Sequence, residues 1–276
     1  MSHILSRQNL FSCYLKRAED LNLIDNVNEL SSYLKELPTF LCREILLAKP
    51  LNKLLRNANP LLGSKDSKFS QITIEDRGLY LAENGFSLEL AREFDFEHFK
   101  VVNITKKRIA VLKEALLLGL NHFTKEADTI FRNLSLVIWL NRDENASKEI
   151  PYISCCSYRA FPHCAFITDL ATCHIPPEIV FPSCHPYPML ENLYHESLHQ
   201  ELFSTINFSN VFLSNQKAFI EKSVWIPWRN THWTLGHAMQ GLYVYCHLLV
   251  LRKKYSHYSD FNNCQMARRM THFAST

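Results

Sequence analysis

His195-Glu196-Ser197-Leu198-His199 has the form H-E-x-x-H. On a helix this spacing sets two imidazoles one turn apart on one face, where both can bind a single divalent metal ion, with a carboxylate beside the first. If the metal carries a water, that glutamate is placed to serve as general base in a hydrolysis. The bland alternative is two partly exposed histidines on an ordinary amphipathic helix, and the apolar residues flanking the motif weigh against it.

Two histidines do not complete a site. A stable one needs at least a third protein ligand, and a catalytic one must also keep an open position. His237 is the first candidate, because it would project from a second helix packed antiparallel to the first, where Gly236 and Gly241 permit close approach. Its own bland alternative is a buried imidazole bonded to a backbone carbonyl. Glu221 is the rival: a downstream glutamate would complete a two-histidine, one-carboxylate zinc site of the metalloprotease kind, although the N-E-x-x-D setting usual there is missing. A third imidazole with open cis positions instead suits Fe(II), with an oxo-acid chelating and oxygen binding beside it.

The motif needs a helix to carry it. Pro188 fits a first helical turn, and Leu190, Leu193, Leu198 and Leu202 form an apolar stripe with no Gly or Pro between Met189 and Phe203, so a buried helix is expected there. A final helix is expected from about Thr234 to Tyr255, carrying Leu235, Met239, Leu242, Val244, Leu248 and Leu251; Arg252, Lys253 and Lys254 read as its C-terminal cap. Thr105 to Ile130 has the strongest helical period, with Ile109, Leu112, Leu116, Leu120, Phe123, Ala127 and Ile130, and reads as one long central helix. Ser6 to Leu55 reads as short packed helices and Ser87 to Phe99 as another. Asn57 to Gln71 has the composition of a mobile loop, and a boundary can fall there. Leu134 to Leu140, Ile150 to Tyr158, Cys164 to Thr168 and Glu178 to Phe181 are short β-branched or aromatic runs, expected to form a small sheet of about three to five strands. Asn207 to Lys222 reads as a loop or short helix and Ser259 to Thr276 as a fraying tail.

The chain as a whole narrows the options. With 276 residues, 47% of them hydrophobic and 21% charged, it can bury a sizeable core. A net charge of +3 with interspersed signs gives no footprint for nucleic acid or an anionic membrane. The first residues lack the pattern of a signal peptide and no long uncharged apolar run follows, so a cytoplasmic location is expected. Nine cysteines fit reduced thiols better than a disulfide framework. His163-Cys164, Cys173-His174 and Cys184-His185 offer zinc-binding residue types, but without the short C-x-x-C knuckle of structural sites.

Ala160-Phe161-Pro162, Phe166-Ile167 and Glu191 to His199, followed by Trp225-Ile226-Pro227-Trp228-Arg229 and Gly241-Leu242-Tyr243-Val244-Tyr245, resemble the H-E-x-x-H family of peptide-modifying proteins found beside ribosomally made natural-product precursors. The resemblance covers roughly the C-terminal 100 to 120 residues. It implies an Fe(II)- and 2-oxoglutarate-dependent peptide β-hydroxylase, with a precursor peptide as partner. Family members tend to carry a histidine directly before the glycine of the last block. Here that position is Gln240, and a histidine stands three residues earlier as His237. On a helix the shift keeps roughly the same face but moves the ligand by about 4.5 Å along the axis.

Under this resemblance His195, His199 and His237 hold iron, Glu196 orients a ligand or bound water, and Arg229 anchors a carboxylate of 2-oxoglutarate or substrate through paired hydrogen bonds. The alternative for Arg229 is a surface guanidinium stacked between Trp225 and Trp228. Arg159 is a weaker carboxylate partner, and His232, Tyr243 and Tyr245 are weaker candidates for lining the pocket. The expected fold class is α+β: a mainly helical part over residues 1–130, then a small mixed sheet and the two-helix metal-bearing part over 131–276, forming one compact unit. Against the hydroxylase stand a zinc metallopeptidase using Glu196 as base and a metal-free adaptor that holds a peptide on its N-terminal helices.

Overall fold

The structure, a computed structural model, describes residues 69–82, 98–134, 136–142, 153–158, 163–175, 178–208, 221–226 and 230–258. Expectations for Ser6 to Leu55, Asn57 to Lys68, Ser87 to Glu97 and the tail from Ser259 fall outside these residues, as do Arg159 and Arg229. The class is α+β, as expected: four helices and a small mixed sheet with two short ribbons among the described residues. The chain divides into two units that interleave in sequence, Met1–Ile109 with Leu134–Asp169, and Ala110–Asn133 with Leu170–Thr276.

The first unit holds the sheet. Its strands are β1 (Phe69–Ile74), β2 (Arg77–Ala82), β3 (Phe99–Val101), β4 (Leu136–Arg142), β5 (Cys155–Cys156) and β6 (Cys164–Ile167), in the order β1-β2-β4-β6-β5 with β3 also paired to β4. β4 runs parallel to both β2 and β6. Leu136 to Leu140 and Cys164 to Ile167 are buried without alternation, the pattern of central strands covered on both faces. The sheet is larger than expected because β1 and β2 form a hairpin in which Ile74 faces Arg77 across only Glu75 and Asp76. Glu75 takes φ 56°, a conformation usually given to Gly or Asn, so the turn carries no sequence signal. Phe69 to Gln71, expected in a loop, belong to β1, and Phe99, expected at a helix end, begins β3. Asp169 accepts both Nε and Nη2 of Arg108 at 2.8 and 2.6 Å and the indole N–H of the buried Trp139 at 2.9 Å.

Helix α1 (Lys106–His122) is capped by Thr105, whose Oγ1 accepts the Arg108 N–H at 3.3 Å. The single long helix expected through Ile130 is instead two, since α2 (Thr124–Asn133) starts after a break at Phe123. Thr124 donates its hydroxyl back to the Leu120 carbonyl at 3.3 Å, a side-chain bond that competes with the helical ladder and bends the chain.

The second unit is built around α3 (Pro186–Phe208), with α2 and α4 (Leu235–Tyr258) packed on it. His185 caps α3: its Nδ1 accepts the N–H of Tyr187 at 3.1 Å, and Pro186 takes the first position, where a missing N–H costs nothing. The helix is buried nearly all round, at Tyr187, Met189, Leu190, Leu193, Tyr194 and Leu198 and also at Glu191, Asn192, Glu196, Ser197 and Gln200. Asn192 donates to three carbonyls, those of Ala171, His174 and Pro188, at 2.8 to 3.2 Å. A methyl at Gly119 would meet Leu190 Cδ1 at 2.9 Å, so glycine there lets α1 approach α3. Two ribbons complete the unit: β7 (His174–Ile175) with β8 (Glu178–Ile179), and β9 (Ser223–Ile226) with β10 (Thr231–Thr234). No helix among the described residues is long and apolar enough to cross a membrane.

Candidate metal centre

The buried helix α3 points both motif histidines the same way, and Nε2 of His199 lies 3.1 Å from Nε2 of His195. Two nitrogens each about 2.1 Å from one ion lie roughly 3.0 Å apart at a right angle and roughly 3.4 Å apart at the tetrahedral angle. The pair thus fits two neighbouring positions on one metal. Glu196 Oε1 is 3.9 Å from His195 Nε2, and the Glu196 side chain is only 2% exposed. Tyr245 of α4 presents its ring edge-on to His195, centroids 6.4 Å apart. Phe203 stacks on His199 at 5.8 Å.

Burial, and then the charge of His237, push the His199 imidazole down to about 4, so it stays neutral and keeps a lone pair for a metal at neutral pH. Its Nδ1 is buried without a hydrogen-bond partner among the described residues, whereas ligating histidines usually donate that N–H to a neighbour.

Cross-helix contacts set the register of α3 against α4. Arg252 meets Glu191, His247 meets Tyr194, and Tyr245 meets His195, so the helices run antiparallel, as expected. Carried one turn further, the same register brings Gly241 and Gln240 level with His199 and leaves His237 a turn beyond. His237 is exposed and lies flat on Trp233, centroids 4.4 Å apart and planes 8° apart. Gly241 makes room for that same indole, since a methyl there would meet Trp233 Cζ3 at 2.9 Å; its small size serves Trp233 and not helix approach. Among the described residues no three His, Cys, Asp or Glu side chains converge as a metal group. What the described residues show is two ring nitrogens, those of His195 and His199, facing each other.

The weaker candidates separate. Gln240 is half-buried on α4, and Glu221 is exposed just ahead of β9. His232 is exposed on β10, opposite Trp225. Tyr243 turns to His247, centroids 4.8 Å apart, in a polar cluster with Tyr194, whose hydroxyl lies 3.3 Å from His247 Nδ1. Burial raises both phenols.

Arg252 corrects an expectation. It is no helix cap, because α4 continues to Tyr258; its Nε and Nη2 both donate to Glu191 Oε1, at 2.9 and 2.5 Å, in a buried pair one turn before His195. Lys254 likewise reaches back to the buried Glu126 of α2. The spacing Glu191, His195, His199 places all three on one face of α3, but nothing in that spacing points to Arg252. The zinc reading of the Cys–His dipeptides loses His185, whose Nδ1 is committed to the helix cap.

No protein-family model matches the chain, and no curated protein sequence matches it.

Proposed function

We propose that this chain is a cytoplasmic Fe(II)- and 2-oxoglutarate-dependent hydroxylase acting on a β-carbon of a ribosomally made precursor peptide. The observation that carries the metal is the 3.1 Å approach of two ring nitrogens on a buried helix. The choice of iron and oxo-acid rests on the residue blocks Trp225 to Arg229 and Gly241 to Tyr245. Iron with 2-oxoglutarate and O2 supplies the oxidising power to hydroxylate an unactivated C–H, the oxo-acid ending as succinate and CO2. His195 and His199 would hold the ion, and the burial of α3 around them limits the access of water. Glu196 orients a ligand or a bound water, and Arg229 pairs with a carboxylate of the oxo-acid. The third donor is His237 after a turn of side-chain and helix movement, or Gln240 from its place level with His199.

A second reading, a zinc peptidase, is favoured by one feature: Glu196 stands beside the imidazole pair, where a general base on a metal-bound water belongs. The deciding assay loads purified protein anaerobically with Fe(II) or with Zn(II) and offers a candidate peptide. Succinate formation with iron supports the hydroxylase, peptide cleavage with zinc supports the peptidase, and failure to retain either metal removes both.

A further inference from the structure

Outside the metal helix, one pair of thiols is brought together by the backbone. Cys173 follows the 3-10 turn Asp169–Thr172, and Cys184 lies beyond the β7–β8 ribbon. The Cys173 carbonyl accepts the N–H groups of Val180 and Phe181 at 2.9 and 3.2 Å, and the Thr172 carbonyl accepts that of His185 at 2.8 Å, so the two segments run side by side. Thr172, the residue immediately before Cys173, donates its hydroxyl to Cys184 Sγ at 3.3 Å. The exposed sulfur of Cys184 is thus held against the residue next to Cys173 in the chain. Cys184 is exposed, while Cys173 is half-buried with its thiol turned to the Leu170 carbonyl at 3.5 Å. The other described thiols are placed differently: Cys155 and Cys156 are strand neighbours whose side chains point to opposite faces, Cys164 is wholly buried in β6, and Cys246 is exposed on α4.

We propose that Cys173 and Cys184 are a thiol–disulfide exchange pair, closed to an internal disulfide by a small-molecule disulfide such as glutathione disulfide. The exposed Cys184 thiolate attacks one sulfur of glutathione disulfide, forming a mixed disulfide and releasing one glutathione thiolate. The Cys173 thiolate then attacks the Cys184 sulfur and displaces the second glutathione. Two protein thiols lose two protons and two electrons, and one glutathione disulfide becomes two glutathione thiols. Burial and the nearby Cys184 sulfur hold the Cys173 thiol up, which suits it to be the second, resolving group. The bond ties the turn before β7 to the residue next to the α3 cap, and so fixes the segment from which the metal helix starts.

The test uses the full-length, reduced protein incubated with glutathione disulfide, quenched by alkylation at intervals and mapped by mass spectrometry without reduction. The Cys173–Cys184 cross-link is expected to form at least roughly tenfold ahead of any other internal pair, the advantage that proximity confers. In Cys173→Ser, Cys184 should stop at the glutathione mixed disulfide; in Cys184→Ser, Cys173 should remain alkylatable. Earlier closure of a different pair, or a wild-type Cys184 that stops at the mixed disulfide, overturns the proposal. The wild-type time course decides the matter even if a serine variant fails to fold.

Discussion

His195 and His199 face each other through Nε2 atoms 3.1 Å apart on a helix that is buried on nearly every side. Without a metal this contact is favourable only when at least one ring is neutral and offers its lone pair to the other's N–H, because two imidazolium rings at that distance repel. The fold enforces this by burying His199, and the same neutrality is what a metal requires.

The metal-free protein should therefore lose stability in acid in a defined window. His199 titrates at about 4 when folded and near 6.5 when unfolded, so the unfolded chain binds the extra proton first. The contribution is fully present above about pH 6.5 and is lost as pH falls toward 4, on the order of 3 kcal/mol in total. Urea unfolding at a series of pH values checks it: His199→Asn should flatten the slope between those limits, and an unchanged slope would show that His199 is not the group responsible.

Glu196→Gln separates the two enzymatic readings. It keeps size and most hydrogen bonding while removing the base. A hydroxylase in which Glu196 only orients its neighbours should retain measurable succinate formation, whereas a peptidase should lose nearly all cleavage. Loss of succinate formation with metal content unchanged would count against the orienting role.

The pair formed by Glu191 and Arg252 should be costly to break and cheap to replace. Arg252→Ala leaves a buried carboxylate uncompensated and is expected to cost about 3–5 kcal/mol in chemical denaturation. Replacing both residues by Leu and Met of similar volume should come close to neutral. A single substitution with no effect would mean that water reaches the pair.

Much of this was legible in the residues themselves. The apolar stripe through Leu190, Leu193 and Leu198 located α3, and the uninterrupted run Leu136 to Leu140 located the central strand. The β1–β2 hairpin was missed because Glu75 occupies a turn position normally marked by glycine. Arg252 was misread because local sequence cannot reveal a partner 61 residues away. The third ligand stayed open for a related reason: side chains three residues apart on α4 share a face, and only the helix register decides which one is level with His199.

The central claim is that His195 and His199 chelate one ion, and equilibrium titration of the metal-free protein with Co(II) at neutral pH, followed by its visible absorption, tests it most directly. One equivalent should bind saturably, and both His195→Ala and His199→Ala should reduce the affinity by at least roughly a hundredfold while leaving the far-ultraviolet circular dichroism unchanged. Saturable binding that persists at full strength in either variant, or no binding to the wild-type chain, would contradict it.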